Sequence, residues 1–521
     1  MKIYARILTI VSMLFCFSCE SWLDIQQEGE VTSEQLFTSG AGYRTALNGL
    51  YKAMGKPALY GRELSFGFVD CISQQYDLTD KGAFNEGSEQ AYTAATRFEY
   101  KDNSLVDLID GIWLSGFNVI ANANDILQNI RNSSADLFEE GEMERRMIMG
   151  EAYACRALIH FDLLRLFAPA PVNDDGATYV PYVEDYPNIY ASGIAVKPYL
   201  DKVIADLLKA REYVVDYDTT TSGKRASSTG VNRMKNAFQI SGDFAYSDFF
   251  AGRGYRLSYY SITALLARVY QYAGKDKEAY DCAKAVVEFG KATGSLFYKD
   301  DFTGMTVTTG FEIEDFDRKT DNKVKENLIF AAYNEKAYTD SKIDKFFKLT
   351  EKIDGTPTPN NYLVVKQIDF FKNRGQDEWN IDIRSKCMLF PVLGQYPISG
   401  KWFVNTSKPE NSEHLRISPI IRLTEMRYIM AEYLARHANY QEAYDILNDI
   451  RKNRGLMTEL TIRNTWTDFE TDLINDARRE WISEGQLFYL YKRLDAAFDM
   501  NGESHKLSRG EASLPLPSDQ I

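Results

Sequence analysis

The chain has 521 residues, a formal net charge of −14, 45% hydrophobic residues and 26% charged residues. This length and hydrophobic content allow one large folded core or two smaller ones. The negative charge argues against nucleic-acid binding, because phosphate backbones require clustered Lys and Arg side chains and the sequence contains no basic stripe.

The N-terminus is typical of a cleaved export signal. A short basic start precedes an apolar stretch at residues 7–17, which is too short to span a bilayer. A small residue, Ser18, stands before Cys19, whereas bulky phenylalanine stands before Cys16. We therefore expect residues 1–18 to be a signal peptide and Cys19 to carry acyl chains that hold the protein at a membrane. An ordinary secretory signal is the alternative.

The other cysteines are widely spaced and form no CxxC pair, which argues against a zinc site and against a disulfide scaffold. They are Cys71, Cys155, Cys282 and Cys387. Two of them fall among apolar residues of predicted helices, so we expect core thiols, although an exported chain can pair some of them.

Apolar residues at helical spacing predict helices along most of the chain. In chain order the segments are 43–54, 105–130, 144–167, 198–214, 258–290 and 422–455. Pro169 and Pro171 are expected to end the third segment, because proline cannot continue a helix.

Two of these segments share an internal repeat. Each contains an apolar helix, a short polar turn, the tetrapeptide Glu-Ala-Tyr-Asp at 278–281 or 442–445, and a second apolar helix. Small Ala279 and Ala443 allow two helices to approach closely, as in tetratricopeptide-like hairpins. The sequence therefore predicts a mainly α fold, a helical-repeat scaffold in a single domain that spans residues 19–521.

Two long regions, at about 55–103 and 291–417, lack helical periodicity and are rich in Gly, Asp and aromatic residues. Regions of this length are candidates for functional loops. The four histidines are scattered without a metal-binding spacing, and His160 is expected to be packed in a helix. P-loop and GxSxG motifs are absent, so we predict no cofactor, no metal and no catalytic residues.

The chain resembles the SusD/RagB family of outer-membrane lipoproteins of Bacteroidetes. The resemblance covers nearly the whole chain and is carried, in family order, by "SCESWLD", "ALNGLYKAM", "IWLSGFNVIANANDIL", "GEAYACRALIHFDLLRLFAPAPV", "IADLLKA", "ALLARVYQYAGKDKEAYDCAKAVV", "IIRLTEMRYIMAEYLARHANYQEAYDILNDIRKNRG", "ARREWISEGQLFYLYKR" and "LPLPSDQI". One departure is Leu487 and Leu490, where the family typically has an Arg and an Asp.

The resemblance implies a non-enzymatic, lipid-anchored nutrient-binding protein at the surface of the outer membrane. Tetratricopeptide-like helices would carry irregular loops that form the ligand site. The implied partner is a SusC-type TonB-dependent barrel, over which the binding protein acts as a lid. The implied ligands are mostly complex glycans, with peptides bound by some members.

If the ligand is a sugar, aromatic rings should stack on its apolar faces while polar side chains satisfy its hydroxyls. The candidate ligand residues of the two irregular regions are Tyr76, Tyr92, Phe98, Tyr100, Tyr298 and Trp379, with Gln74, Arg97 and Asn103 as polar partners. Loop tyrosines often pack on their own scaffold, so we expect about a third of this set to contact ligand. Trp113 and Trp402 are expected to be structural.

Three alternatives remain open at this stage. A peptide-binding member of the same family would have a deeper pocket with backbone hydrogen bonds. A surface glycoside hydrolase would need two positioned carboxylates, and no motif identifies them among 74 acidic residues. A structural scaffold that binds only protein would use its helical concave face.

Overall fold

The computed structural model describes residues 33–78, 90–188, 190–228, 233–234, 248–292, 323–347, 362–366, 370–392, 396–403 and 413–517. Cys19 and Tyr298 lie outside these described residues, as does the side chain of Cys387. Cys71 and Cys155 are buried and Cys282 is half-buried.

The described part of the chain is mainly helical. In chain order its α-helices are α1 (Ser33–Leu36), α2 (Gly40–Met54), α3 (Phe68–Ile72), α4 (Gln90–Thr96), α5 (Asn103–Ile130), α6 (Gly141–Phe167), α7 (Val196–Asp218), α8 (Thr221–Ser228), α9 (Tyr259–Tyr272), α10 (Asp276–Ala292), α11 (Ala337–Asp340), α12 (Ile343–Phe347), α13 (Arg384–Cys387), α14 (Leu423–Arg436), α15 (Tyr440–Lys452), α16 (Trp466–Glu480), α17 (Leu487–Leu494) and α18 (Arg509–Ala512).

The long helices pack in a row, each against the next. α5 packs against α6, α6 against α7, α7 against α9, α9 against α10, α10 against α14, and α14 against α15. The helices predicted from apolar spacing are confirmed, and α6 ends at Phe167, just before the proline that was expected to stop it. This row buries a large contiguous apolar core.

The repeated tetrapeptide occupies equivalent places in two helical hairpins, α9–α10 and α14–α15. Ala279 and Ala443 are 1% and 0% exposed, so both small residues lie where two helices meet. The turns also correspond, because Gly274 has φ +70° and Ala438 has φ +59°. Only the first turn has glycine at this left-handed position, and alanine in the second accepts some strain.

Short strands lie between and after the helices. They are β1 (Leu328–Tyr333), β2 (Lys372–Asn373), β3 (Gln376–Asp377), β4 (Leu389–Val392), β5 (Tyr396–Ser399), β6 (Ile417–Arg422), β7 (Phe498–Met500) and β8 (Glu503–His505). They form two-stranded antiparallel pairs, β1 with β6, β2 with β3, β4 with β5, and β7 with β8. The two regions predicted to be irregular therefore contain more regular structure than expected, namely α3, α4 and most of these strands. These elements are too short to produce a periodic pattern in the sequence.

Among the described residues, α5 is the one helix that is long and apolar enough to cross a membrane by length and composition. It packs against α2 and α6, and Ile112, Ile120 and Ala123 on one side of it are fully buried. Its other side carries exposed Asp107 and Asn122. Packing of one face against the core accounts for its composition.

Candidate functional site at the roots of the irregular regions

Segments from both predicted irregular regions meet in a small ladder, which we call the root sheet: residues 74–78, residues 362–366 and the β4–β5 hairpin. The Asp77 amide donates to the Val364 carbonyl at 2.8 Å, and the Val365 amide donates to a carbonyl of β5 at 2.7 Å. Backbone bridges join the same three segments. Chain segments nearly 300 residues apart are thereby fixed beside one another.

The underside of the root sheet is buried against the turn at 481–485. Tyr76 is 1% exposed, and its hydroxyl lies 2.9 Å from both the Phe66 carbonyl oxygen and the Ser483 hydroxyl oxygen. Trp402 is 0% exposed and donates its indole N–H to the Ser483 carbonyl at 3.1 Å. The structural role expected for Trp402 is confirmed. The expectation that Tyr76 faces ligand is corrected, because its ring fills the core.

A buried polar cluster locks this turn to the chain before the root sheet. Asp70 Oδ1 accepts from the Gln75 side-chain amide at 2.9 Å and from the Gly485 backbone amide at 3.0 Å, and Gln75 in turn accepts from the Ser483 amide. Burial raises the pKa of Asp70 well above its usual range. Gly485 has φ +69°, and a Cβ there would lie 2.1 Å from the Leu64 carbonyl oxygen, so no other residue fits.

Gln74 and Tyr92 are also directed into the protein. Gln74 donates its amide to the Thr96 carbonyl at 2.8 Å and accepts from the Lys366 ammonium at 3.4 Å. Tyr92 is 1% exposed and donates its hydroxyl to Glu63 at 3.0 Å. Both side chains link the root sheet and α4 to the scaffold. Their expected contact with ligand is corrected accordingly, because their polar groups already have internal partners.

Phe98 and Tyr100 pack against the C-terminal hairpin β7–β8 and the helix that follows it. The ring of Phe98 stacks on His505 with centroids 5.9 Å apart, and the Tyr100 hydroxyl donates to the Glu511 carbonyl at 2.8 Å. Both rings are less than 10% exposed. These two aromatic candidates therefore hold the C-terminal segment in place, and no open ring face remains for a sugar.

Three predicted residues remain accessible at the surface. Arg97 and Asn103 are exposed at the end of α4 and the start of α5, and Trp379 is half-buried after β3. The Trp379 ring lies edge-on to Phe371 with centroids 5.1 Å apart, and its amide donates to Asp377 at 2.9 Å. One of the six predicted rings thus keeps an accessible part among the described residues.

Buried ion pairs fix the segment that carries Trp379. Glu378 binds Arg451 at 2.6 Å and Arg479 at 2.5 Å, and Asp382 binds Arg384 at 2.8 Å. Removing one partner of such a pair leaves an uncompensated buried charge. The backbone on both sides of Trp379 is therefore anchored to groups on α13, α15 and α16.

The contribution of residues 362–366 was not predicted from the sequence. Lys366 contacts Gln74 across the root sheet, and the segment supplies its middle strand. The signal available was the β-branched pair Val364 and Val365, which favours a strand but is too short to stand out. Among the described residues, no group of three or more His, Cys, Asp or Glu side chains is placed to hold a metal ion.

Part of the chain is similar to a known protein family. A SusD-like family model described as "Starch-binding associating with outer membrane" matches residues 32–231. SusD-like protein P2 of Formosa agariphila is 27% identical over 248 residues, which are 47% of this chain and 44% of that protein. The match therefore spans less than half of that relative.

Solved structures extend the likeness over nearly the whole chain. A SusD superfamily protein from Bacteroides thetaiotaomicron superposes with a TM-score of 0.63 at 20% identity and covers 92% of this chain and 96% of its own. This likeness shows that the chain has the fold of the SusD superfamily structures. Surface glycan-binding protein A from the same organism, solved with laminarihexaose, gives a TM-score of 0.61 at 15% identity, covering 92% and 97%. The tetratricopeptide-like fold predicted for this SusD-like chain is confirmed.

Proposed function

We propose that this SusD-like protein is a cell-surface lipoprotein that binds a complex glycan without cleaving it and delivers it to a SusC-type TonB-dependent barrel. The glycan is held at the surface above the root sheet, with Trp379, Arg97 and Asn103 as its contacts, and Tyr298, outside the described residues, stays a candidate. Cys19 carries the lipid that keeps the protein at the outer membrane.

The root sheet is the observation that carries this proposal. It brings residues 74–78 and 362–366 together although the two segments belong to different irregular regions. A ligand site assembled from distant loops needs such a rigid base, because binding that orders loose segments loses affinity to conformational entropy. The surface glycan-binding relative with the same fold supports a glycan as the ligand.

The accessible side chains suit a sugar. The Trp379 indole offers an apolar face, and Arg97 and Asn103 offer donors and an amide oxygen for hydroxyl groups. Arg97 lies 3.9 Å from Glu99, at a distance and exposure where the pair contributes little and leaves its donors available. Binding by such a surface requires no chemical step.

Titration of the purified protein with a panel of plant, algal and host polysaccharides tests this proposal. Saturable heat with one polysaccharide is expected, and Trp379→Ala should weaken it about tenfold or more, because ring stacking is lost. Trp466→Ala is the matched control, since Trp466, at the start of α16, is another half-buried tryptophan and packs under Arg436 of α14. If only peptides give saturable heat, the ligand is a peptide and not a glycan. If neither polysaccharides nor peptides give saturable heat, the proposed binding function is refuted.

Delivery and anchoring need a cellular measurement. Uptake of the labelled glycan should be lost when Cys19→Ser removes the lipid, while the purified variant keeps its affinity. If uptake persists although the protein has been released from the membrane, the proposal that a lipid-anchored protein delivers the glycan to the barrel is contradicted.

A further inference from the structure

A second aromatic surface lies away from the root sheet, in a cleft between α5 and residues 181–188. The cleft has a volume of about 340 Å³, within the range of small-ligand sites. We call it the helix cleft. It is lined by Trp113, Leu114, Phe117, Asn118, Ala121, Pro181, Val183, Asp185, Tyr186, Pro187, Asn188 and Ala191. None of them belongs to the root sheet.

The wall formed by residues 181–188 is held by buried polar groups. Asn124 donates to the carbonyls of Val183 at 3.1 Å and Asp185 at 3.3 Å. Arg156 donates to the Glu184 carbonyl at 3.3 Å and to the Asn124 side-chain oxygen at 2.7 Å. The backbone at residues 183–185 therefore cannot move without breaking these hydrogen bonds, so the middle of this wall is preformed.

Two further groups complete the support of the wall. Arg156 forms a bidentate pair with Asp206 on α7, with both distances 2.7 Å. His160 Nε2 lies 3.1 Å from the Val183 carbonyl, and the His160 ring stacks on Tyr182 with centroids 4.0 Å apart. The expectation that His160 is packed within a helix is confirmed. Its ring also supports the cleft wall from inside the protein.

The lining has the chemistry of a carbohydrate site. Phe117 and Tyr186 bring two accessible aromatic rings to a space of sugar size, whereas Trp113 lines it but is only 3% exposed. Asn118 and Asn188 bring amides that both donate and accept. Asp185 is the one charged residue in the lining, so the cleft offers nothing to balance an anionic ligand. A neutral polyhydroxylated ring fits this combination of flat apolar faces and hydroxyl partners.

Several of these groups are accessible without rearrangement. Leu114 is 55% exposed and Tyr186 is 38% exposed, although both are large and partly apolar. Asn118 is exposed on the same side of α5. Exposed aromatic and aliphatic groups collected in a rigid concave surface are typical of a binding site.

We propose that the helix cleft is a second carbohydrate-binding site that takes a neutral pyranose unit of an oligosaccharide. This second site goes beyond the proposed function because it lies on the helical scaffold, and it can be tested independently of the root-sheet site. A protein with two separated sugar sites holds a long glycan more tightly than either site alone.

Titration with neutral hexasaccharides, including laminarihexaose, and with a uronic-acid oligosaccharide tests this second site. Tyr186→Ala and Asn118→Ala should each weaken one binding event about tenfold while Trp379→Ala leaves that event unchanged. Tyr190→Ala is the matched control, because Tyr190 is 77% exposed nearby but does not line the cleft. The uronic-acid oligosaccharide should bind the cleft more weakly than its neutral counterpart.

Hydrogen exchange on the intact protein separates the possible failures. Protection of α5 residues 113–121 and of residues 181–188 on addition of hexasaccharide supports the second site. Binding that Trp379→Ala abolishes completely, with no protection at the cleft, overturns the second site and keeps the proposed function. Cleft protection by a peptide or by the barrel partner, without protection by sugar, overturns it in favour of a protein contact.

Discussion

The root sheet and the helix cleft both gather aromatic residues, but they use them in opposite ways. In the root sheet the ring of Tyr76 is 1% exposed and its hydroxyl is hydrogen-bonded inside the protein. In the helix cleft Tyr186 is 38% exposed at the edge of an open space. Aromatic content in a loop region therefore does not identify a binding surface. A binding surface is identified by an accessible ring face and by a hydroxyl that is not already hydrogen-bonded inside the protein.

Replacement of Tyr76 should give the largest loss of stability. Tyr76→Ala leaves a core cavity and is expected to lower the free energy of unfolding by about 3–5 kcal/mol, whereas Tyr76→Phe keeps the ring and should cost about 1–3 kcal/mol. Urea unfolding measures both. A Tyr76→Ala protein that stays fully stable but loses glycan would move this residue from the core to the ligand site.

Asn124→Ala should loosen the cleft wall. The substitution removes the donor to the carbonyls of Val183 and Asp185 and the acceptor of Arg156, so about 1–3 kcal/mol of stability is expected to be lost. Sugar affinity at the cleft should fall as well, because the wall is no longer fixed. Gln128→Ala, at an exposed position of the same helix, is the control and should change neither quantity. Equal behaviour of the two variants would contradict a positioned wall.

The two regions should respond to pH with opposite signs. Burial lowers the pKa of His160 to about 3, so the unfolded chain binds a proton there below about pH 6.5 that the folded chain does not bind. The contribution of His160 to the free energy of unfolding is complete above about pH 6.5. It is lost by up to about 1.4 kcal/mol per pH unit as the pH falls toward 3.

The contribution of Asp70, beside the root sheet, to the free energy of unfolding changes with pH in the opposite direction. Burial raises its pKa, so its contribution is largest in acid and falls as the pH rises above about 3.8, the unfolded value. Urea unfolding at pH 7 and pH 5 separates the two groups. His160→Gln should reduce the stability lost on acidification, and Asp70→Asn should increase it. The same change in both variants would contradict the assignment.

Tyr186→Ala should have the smallest effect on stability. Because the side chain is accessible at the surface, the free energy of unfolding should stay within about 0.5 kcal/mol of the unchanged protein. Its effect belongs to cleft binding instead. A loss of stability like that of Tyr76→Ala would show that the ring is a core element and that the two regions do not differ.

The sequence predicted the helical scaffold well because helices such as α5 and α15 bury a periodic apolar face, and because α6, buried on all sides from Met147 to Phe167, is a long apolar segment that ends before proline. Helix α6 and its end at Phe167, and the two hairpins with Glu-Ala-Tyr-Asp, follow from local patterns. The burial of Tyr76 does not, since it depends on Ser483, which lies 407 residues away in the chain. No local pattern contains that contact.

The helix cleft was missed for a different reason. Trp113 was assigned to the core and is indeed 3% exposed, yet its ring also lines the cleft. Leu114, Phe117 and Ala121 form a second apolar stripe on α5, beside the stripe that enters the core. That second stripe was readable in the sequence, but its opposite wall at 181–188 has no periodic signal and is defined by tertiary hydrogen bonds.

The most direct test of the central claim, glycan capture above the root sheet, is hydrogen exchange of the intact protein with and without the polysaccharide that binds best in titration. We predict protection of residues 97–103 and 376–383, which carry the proposed contacts, and of residues 362–366, the middle strand of the root sheet. Saturable binding that leaves exchange in all three segments unchanged would contradict the claim.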